Sequence, residues 1–212
     1  MGTFIEDNCE FVEWSRPLIE NCSDFSCTHD KDIELSLIHI SEPTRHDFFK
    51  NDFENYNNQL LGKSYGFVKA NTSLELVAAF TVSNSMLPVS SLPKNIKNKI
   101  NRPIPNIKRN SQYPAVLVGQ LAVFDSFAGK HIGDEILSFI KGWFIDPLNK
   151  TGCRYIIVDA SNHQKVIDFY QRNGFKFIFE NIADEIEYMK LDLEPEYKRT
   201  RLMYFDLIIL KS

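Results

Sequence analysis

The sequence predicts an α/β fold of the mixed, α+β kind: a twisted β-sheet of six or seven strands with helices on both faces. Three observations predict it. "AVLVGQLAV" (Ala115 to Val123) and "RYIIVDA" (Arg154 to Ala160) are nearly all-apolar runs of strand length, the pattern of strands buried on both faces. Between them, "IGDEILSFIKGWFIDPL" (Ile132 to Leu148) repeats apolar residues at helical spacing and ends near Pro147. Strand, helix and strand at short spacing imply a parallel β-α-β core, because parallel neighbours need a crossover connection.

The remaining elements follow in chain order. Beyond Asp47, Phe48, Phe49, Phe53, Tyr56 and Leu60 form one stripe of an amphipathic helix. "SYGFVKA" (Ser64 to Ala70) and "LELVAAFTVS" (Leu74 to Ser83) flank the turn residues Asn71, Thr72 and Ser73, which predicts an antiparallel hairpin. "NHQKVIDFYQRNGF" reads as a helix capped by Asn162 and stopped by Gly174. "KFIFE", "EYMKL" and "RLMYFDLII" read as three further strands. No internal repeat or low-complexity segment interrupts the chain, and we expect one domain over residues 1–212.

Composition narrows the function. The net charge of −4 argues against a general nucleic-acid binder. No run reaches membrane-spanning length, and the N-terminus lacks a basic-then-apolar signal, so a cytoplasmic protein without a membrane partner is expected. Cys9, Cys22, Cys27 and Cys153 have no metal-ligand spacing and are expected to be reduced, partly buried thiols, with no metal bound.

The chemistry concentrates in "LAVFDSFAGKHIGDEIL". A buried strand runs into the turn Asp125, Ser126 and Phe127, and then Gly129, Lys130, His131, Ile132 and Gly133 open a helix. The first turn of a helix has unpaired N–H groups and the positive end of the dipole. Glycine lets such a backbone approach a phosphate, and Lys130 adds a charge.

Together with "FYQRNGF", which closes the next helix, "AGKHIG" (Ala128 to Gly133) resembles the GNAT acyltransferase superfamily in order and spacing. The resemblance covers roughly Cys27 to Leu210. The family motif is Gln or Arg, two residues, Gly, one residue, then Gly or Ala. Ala128 departs from it at the first position and His131 at the first glycine, although His131 still has a backbone N–H to donate. The resemblance implies acetyl-CoA as acyl donor, lying in a splay between two central parallel strands. It implies a phosphate loop from Gly129 to Gly133 and a strand edge at Leu121, Ala122 and Val123 that pairs with the pantetheine amides. It also implies a pantetheine contact at Asn162, where a plain helix cap is the alternative. Tyr170 matches the family's proton donor to the leaving thiolate, with a core aromatic beside Phe169 as the alternative. A phenol of pKa about 10 is a suitable acid for a thiolate of pKa about 8.5. The strand Ala115 to Val123 holds no carboxylate, and Asp159 ends the next strand with its direction open, so the general base stays unassigned.

The acceptor is an amine of unknown kind: a small molecule, a peptide N-terminus or an aminoacyl-tRNA. "RPIPN" followed by "YPAVLVGQLAV" is similar to a GNAT branch containing toxins that acetylate aminoacyl-tRNA, with an antitoxin as partner. That branch shows Gly-Arg-Leu-Ala-Val-Asp, where this chain has Gln120 and Phe124 at the Arg and Asp positions. A non-catalytic acyl-CoA-binding module is a third reading, and a homodimer is compatible with all three. The connection from Asn84 to Tyr113 carries Lys94, Lys97, Lys99, Arg102, Lys108 and Arg109. No acidic residue occurs from Leu76 to Phe124, and the rest of the chain, with 18 basic and 28 acidic residues, carries −10. Such partition suits either a solvated loop held extended by its prolines or a patch for an anionic partner.

One stretch fits none of this. "LSLIHISEPTR" (Leu35 to Arg45) begins as an alternating strand and stops at Pro43. Excising it sets Ile33 on the apolar stripe of Phe48, Phe49, Phe53 and Tyr56. Its eleven residues resemble the translation of a transposon-end sequencing adapter. We therefore expect an assembly artefact without function, which resequencing the source DNA will check.

Overall fold

The computed structural model describes residues 2–22, 47–69, 74–192, 194 and 198–211. The stretch Leu35 to Arg45 lies outside the described residues, as do Ile33, Cys27 and the turn at Asn71 to Ser73. The chain divides into two compact units, Met1–Ser83 with Val118–Phe139, and Asn84–Leu117 with Ile140–Ser212.

In chain order the elements are α1 (Phe4–Asn8), β1 (Cys9–Glu13), α2 (Arg16–Asn21), a π-helical turn (Phe48–Asp52) continuing into α3 (Phe53–Asn58), β2 (Lys63–Lys69) and β3 (Glu75–Leu87). Then come α4 (Lys94–Asn101), β4 (Tyr113–Val123), α5 (Ile132–Ile145), β5 (Tyr155–Ser161), α6 (Gln164–Arg172), β6 (Lys176–Phe177), α7 (Ile182–Met189) and β7 (Thr200–Asp206). The sheet is mixed, seven-stranded and ordered β1-β2-β3-β4-β5-β7-β6.

In the first unit β2 pairs antiparallel with β1 and with β3, as the hairpin reading expects. Phe124 N–H donates to Val77 O and Gln120 N–H to Thr81 Oγ1, so β4 runs antiparallel to β3. Gly66 is dictated by Trp14: a Cβ there would stand 2.7 Å from the indole ring. Trp14 donates its Nε1–H to Phe49 O at 2.8 Å, and the two rings meet edge-on. Phe49 is fully buried. Phe49→Ala should therefore lose about 3–5 kcal/mol of stability, measured by denaturant unfolding. Leu60 departs from its expected place on the helical stripe. The helix stops at Asn58, and Leu60 has φ +57° and is 89 % exposed.

In the second unit β7 pairs antiparallel with β5 over Tyr155↔Asp206 to Ser161↔Thr200, and with the two-residue β6. Arg154 N–H donates to Pro114 O, which sets the beginnings of β4 and β5 side by side, as a parallel β-α-β unit requires. Gly174 ends α6 at φ +81°, with Phe175 N–H returning to Tyr170 O.

Two expectations are corrected here. "EYMKL" is not a strand: its first three residues close helix α7. The connection from Asn84 to Tyr113 is not an extended loop. β3 continues to Leu87, and Pro88, Pro93 and Pro105 each open a helical turn. Ile96 and Ile100 of α4, with Ile104, are buried in a core with Tyr113, Tyr155 and Phe179. Proline suits these positions because its φ is preset and its missing N–H would be unpaired anyway.

Cys9, Cys22 and Cys153 are free and half-buried. Burial raises all three thiols, that of Cys153 to about 11, so they are poor nucleophiles at neutral pH.

Candidate functional site

The glycine-containing loop sits where its place in the sequence predicts. β4 ends at Val123, a short 3₁₀ turn follows over Asp125–Phe127, and α5 begins at Ile132. Phe127 is buried and anchors the turn against Phe4, ring centroids 5.9 Å apart.

The loop then alternates in handedness. Gly129 has φ +74° and His131 φ +60°, whereas Lys130 between them has negative φ. Alternation of this kind turns successive N–H groups toward one concave side and makes an anion nest. Among the described residues, the N–H groups of Gly129, His131, Ile132 and Gly133 meet no protein acceptor, while the chain turns at Ala128 and Gly129 just before Lys130. Donors unpaired among the described residues, at the positive end of a fourteen-residue helix, form a site for a phosphate-like anion.

His131 therefore occupies a left-handed conformation that ordinarily favours glycine. Its carbonyl caps α5, accepting from Asp134 and Glu135 N–H, and its Nδ1 lies 3.1 Å from Asp134 Oδ2. The imidazole is 81 % exposed, so the side chain stands out in solvent. A left-handed non-glycine residue costs about 1–2 kcal/mol, and glycine's extra unfolded-state entropy costs about 0.5–1 kcal/mol. His131→Gly should thus hold or raise stability by up to about 1 kcal/mol, whereas β-branched His131→Val should lower it. Paired denaturant titrations measure both.

Lys130 bends back on the loop, donating from Nζ to Ser126 O at 3.0 Å and lying 5.2 Å from the Phe127 ring centroid. Leu121 and Ala122 are buried and Val123 is partly exposed at the strand's end. The preceding Gln120 N–H is held at 2.8 Å by the buried hydroxyl of Thr81, a side-chain acceptor where a ladder carbonyl would ordinarily stand. A second support was missed in the sequence: Glu135, in the first turn of α5, accepts the N–H of Ile5 at 2.9 Å and ties the N-terminal helix to the loop.

Asn162 and Tyr170 belong to the second unit, the loop residues to the first. Asn162 does not cap α6. The cap is His163, and Asn162 Nδ2 donates to Lys198 O at 3.0 Å while its backbone N–H donates to Arg199 O at 2.6 Å. Tyr170 is buried between Phe169 and Phe175, both edge-on, with centroids 5.0 and 5.3 Å away.

Each of the six basic side chains from Lys94 to Arg109 is exposed. Lys99 pairs with Glu180 at 3.6 Å, and Arg109 donates to Ile104 O. Among the described residues no cluster of His, Cys, Asp and Glu could hold a metal, and no helix is long and apolar enough to cross a membrane.

The chain matches no family model and no curated protein in sequence. Solved structures do match. A tyrosine-to-phenylalanine mutant of KacT is 17 % identical, with TM-score 0.60 over 96 % of this chain and 98 % of that one. AtaT complexed with acetyl-methionyl-tRNAfMet is 14 % identical, with TM-score 0.62 over 96 % and 98 %. AtaTR bound with AcCoA is 14 % identical, with TM-score 0.56 over 97 % and 99 %. At these identities the likeness establishes the fold.

Proposed function

We propose that the chain, which shares its fold with KacT and AtaT, is a GNAT N-acetyltransferase moving an acetyl group from acetyl-CoA to a primary amine. The observation that carries the reading is the run of backbone N–H donors from Gly129 to Gly133, most of them unpaired among the described residues, with His131 left-handed. That row suits a pyrophosphate, and the likeness to AtaTR bound with AcCoA supports the same donor. Leu121, Ala122 and Val123 would pair with the pantetheine amides, and Asn162 would meet the same arm.

The reaction balances as follows. The neutral amine attacks the thioester carbonyl, the C–S bond of the tetrahedral adduct breaks, and the leaving thiolate takes the Tyr170 hydroxyl proton. The amine's own proton leaves through water, and a proton from water restores the Tyr170 hydroxyl. An α-amine of pKa roughly 7.7–8.0 needs little help to be neutral, which fits a strand β4 without a carboxylate. Thiol release from acetyl-CoA against a panel of amines, peptides and aminoacyl-tRNAs tests the reading; release with none of them rejects it.

A second observation favours an anionic acceptor, the aminoacyl-tRNA of a toxin. The basic residues of α4 and the following turn are all exposed, with no acidic residue among them along an otherwise acidic chain, and AtaT complexed with acetyl-methionyl-tRNAfMet shares the fold. Lys94, Lys97 and Lys108 can be reversed to Glu without breaking the Lys99 and Arg109 interactions. Binding of tRNA should then weaken tenfold or more. Its salt dependence should flatten by about one unit of log–log slope for each phosphate no longer neutralised, with acetyl-CoA affinity unchanged. Filter binding across a salt series measures both. In the toxin reading, induced expression also arrests growth and an antitoxin relieves it.

A further inference from the structure

In the second unit, one buried carboxylate joins three elements. Glu185 of α7 is fully buried. Its Oε2 lies 2.9 Å from Arg201 Nε, and its Oε1 lies 3.4 Å from Lys198 Nζ and accepts Leu202 N–H at 2.8 Å. Both cations are buried as well. Arg201 donates its second nitrogen to Phe179 O at 2.8 Å and stacks on Phe177 at 4.4 Å. Lys198 donates to Thr200 Oγ1 at 3.3 Å. Glu185 thus fixes the segment Lys198 to Leu202 from both sides, and its removal takes away the carboxylate that, among the described residues, pairs with both buried cations.

That segment holds Asn162 in turn. Lys198 O takes the Asn162 side-chain amide, and Arg199 O takes its backbone N–H. Asn162 stands directly after β5 and two residues before α6, the helix that carries Tyr170.

We infer that Glu185 is a positioning residue: through Lys198 and Arg199 it sets Asn162, the residue that would meet the pantetheine arm. A hydrophobic residue at this point of α7 would fill the space as well, but it would leave the start of β7 without its ionic anchor. The two carbonyls that hold Asn162 would then be free to drift. The role at acetyl-CoA rests on the proposed function; the hold on Asn162 does not.

Hydrogen exchange on the full chain tests the hold. In Glu185→Gln, protection at the Asn162 amide should fall tenfold or more, while Ile157 in mid-β5 keeps its protection. By calorimetry the acetyl-CoA Kd should rise about tenfold in Glu185→Gln and in Asn162→Ala, and the double variant should lose no more than either single one. Unchanged protection at Asn162, or two losses that multiply, overturns the inference. If Glu185→Gln does not fold, Lys198→Met leaves the Glu185–Arg201 pair intact and must show the same loss at Asn162; unchanged protection there overturns the inference equally. A parent that binds no acetyl-CoA rejects the proposed function, and the exchange result then decides alone whether Glu185 positions Asn162.

Discussion

Gly133→Glu should abolish measurable acetyl-CoA binding while the protein stays folded. Gly133 is the second residue of α5, and its N–H, unpaired among the described residues, is the last donor of the loop. Glutamate is a better helix former than glycine, and a carboxylate in the first turn is favourable to the dipole. The substitution therefore does not harm the helix. It does place a side chain and a negative charge where the pyrophosphate would sit. Each hydrogen bond to a charged group contributes about 1.5–3 kcal/mol, so losing two of them already weakens binding about 10²-fold or more. Calorimetry should show no heat of binding in a variant whose melting curve matches the parent. Full affinity in that variant would remove the loop from the site.

Tyr170→Phe should lower kcat about 10²–10⁴-fold, the range for a lost general acid, and leave acetyl-CoA affinity nearly unchanged. The design separates chemistry from packing. Tyr170 is buried with both ring neighbours edge-on, and phenylalanine keeps those ring pairs. Single-turnover kinetics with a competent acceptor reads the chemical step directly. A variant as fast as the parent would make Tyr170 a core aromatic and nothing more. A parent with donor binding and no turnover would instead mark the chain as an acyl-CoA-binding module.

The sequence was most informative where burial on both faces writes an unbroken apolar run. β4 and β5 are such runs, and the loop and helix between them follow from the glycines and the helical period of Ile132, Ile136, Leu137 and Ile140. It was least informative where a polar residue is buried. Helix α7 has its inward stripe at Ile182, Glu185, Ile186 and Met189, and the buried carboxylate at Glu185 breaks the apolar period, so "EYMKL" reads as an alternating strand. Asn162 was misplaced by one residue, because a side chain suited to capping is drawn away by Lys198 O. The short N-terminal elements escaped notice despite a legible signal: Thr3 and Glu6 form a capping box at α1. The proline-rich segment after β3 was read by composition as extended. Its Ile96, Ile100 and Ile104 spacing is helical, and burial of those three side chains outweighs the prolines. The left-handed turn at His131 had no local signal at all.

The central claim is that the backbone donors from Gly129 to Gly133 bind the pyrophosphate of acetyl-CoA. Its most direct test is a titration of the ¹⁵N-labelled full chain with acetyl-CoA, followed by amide resonances. The account predicts that the Gly129, Lys130, His131, Ile132 and Gly133 signals shift downfield and saturate together, and that adenosine, which lacks the pyrophosphate, leaves them in place. Saturable acetyl-CoA binding with those five resonances unmoved would contradict it.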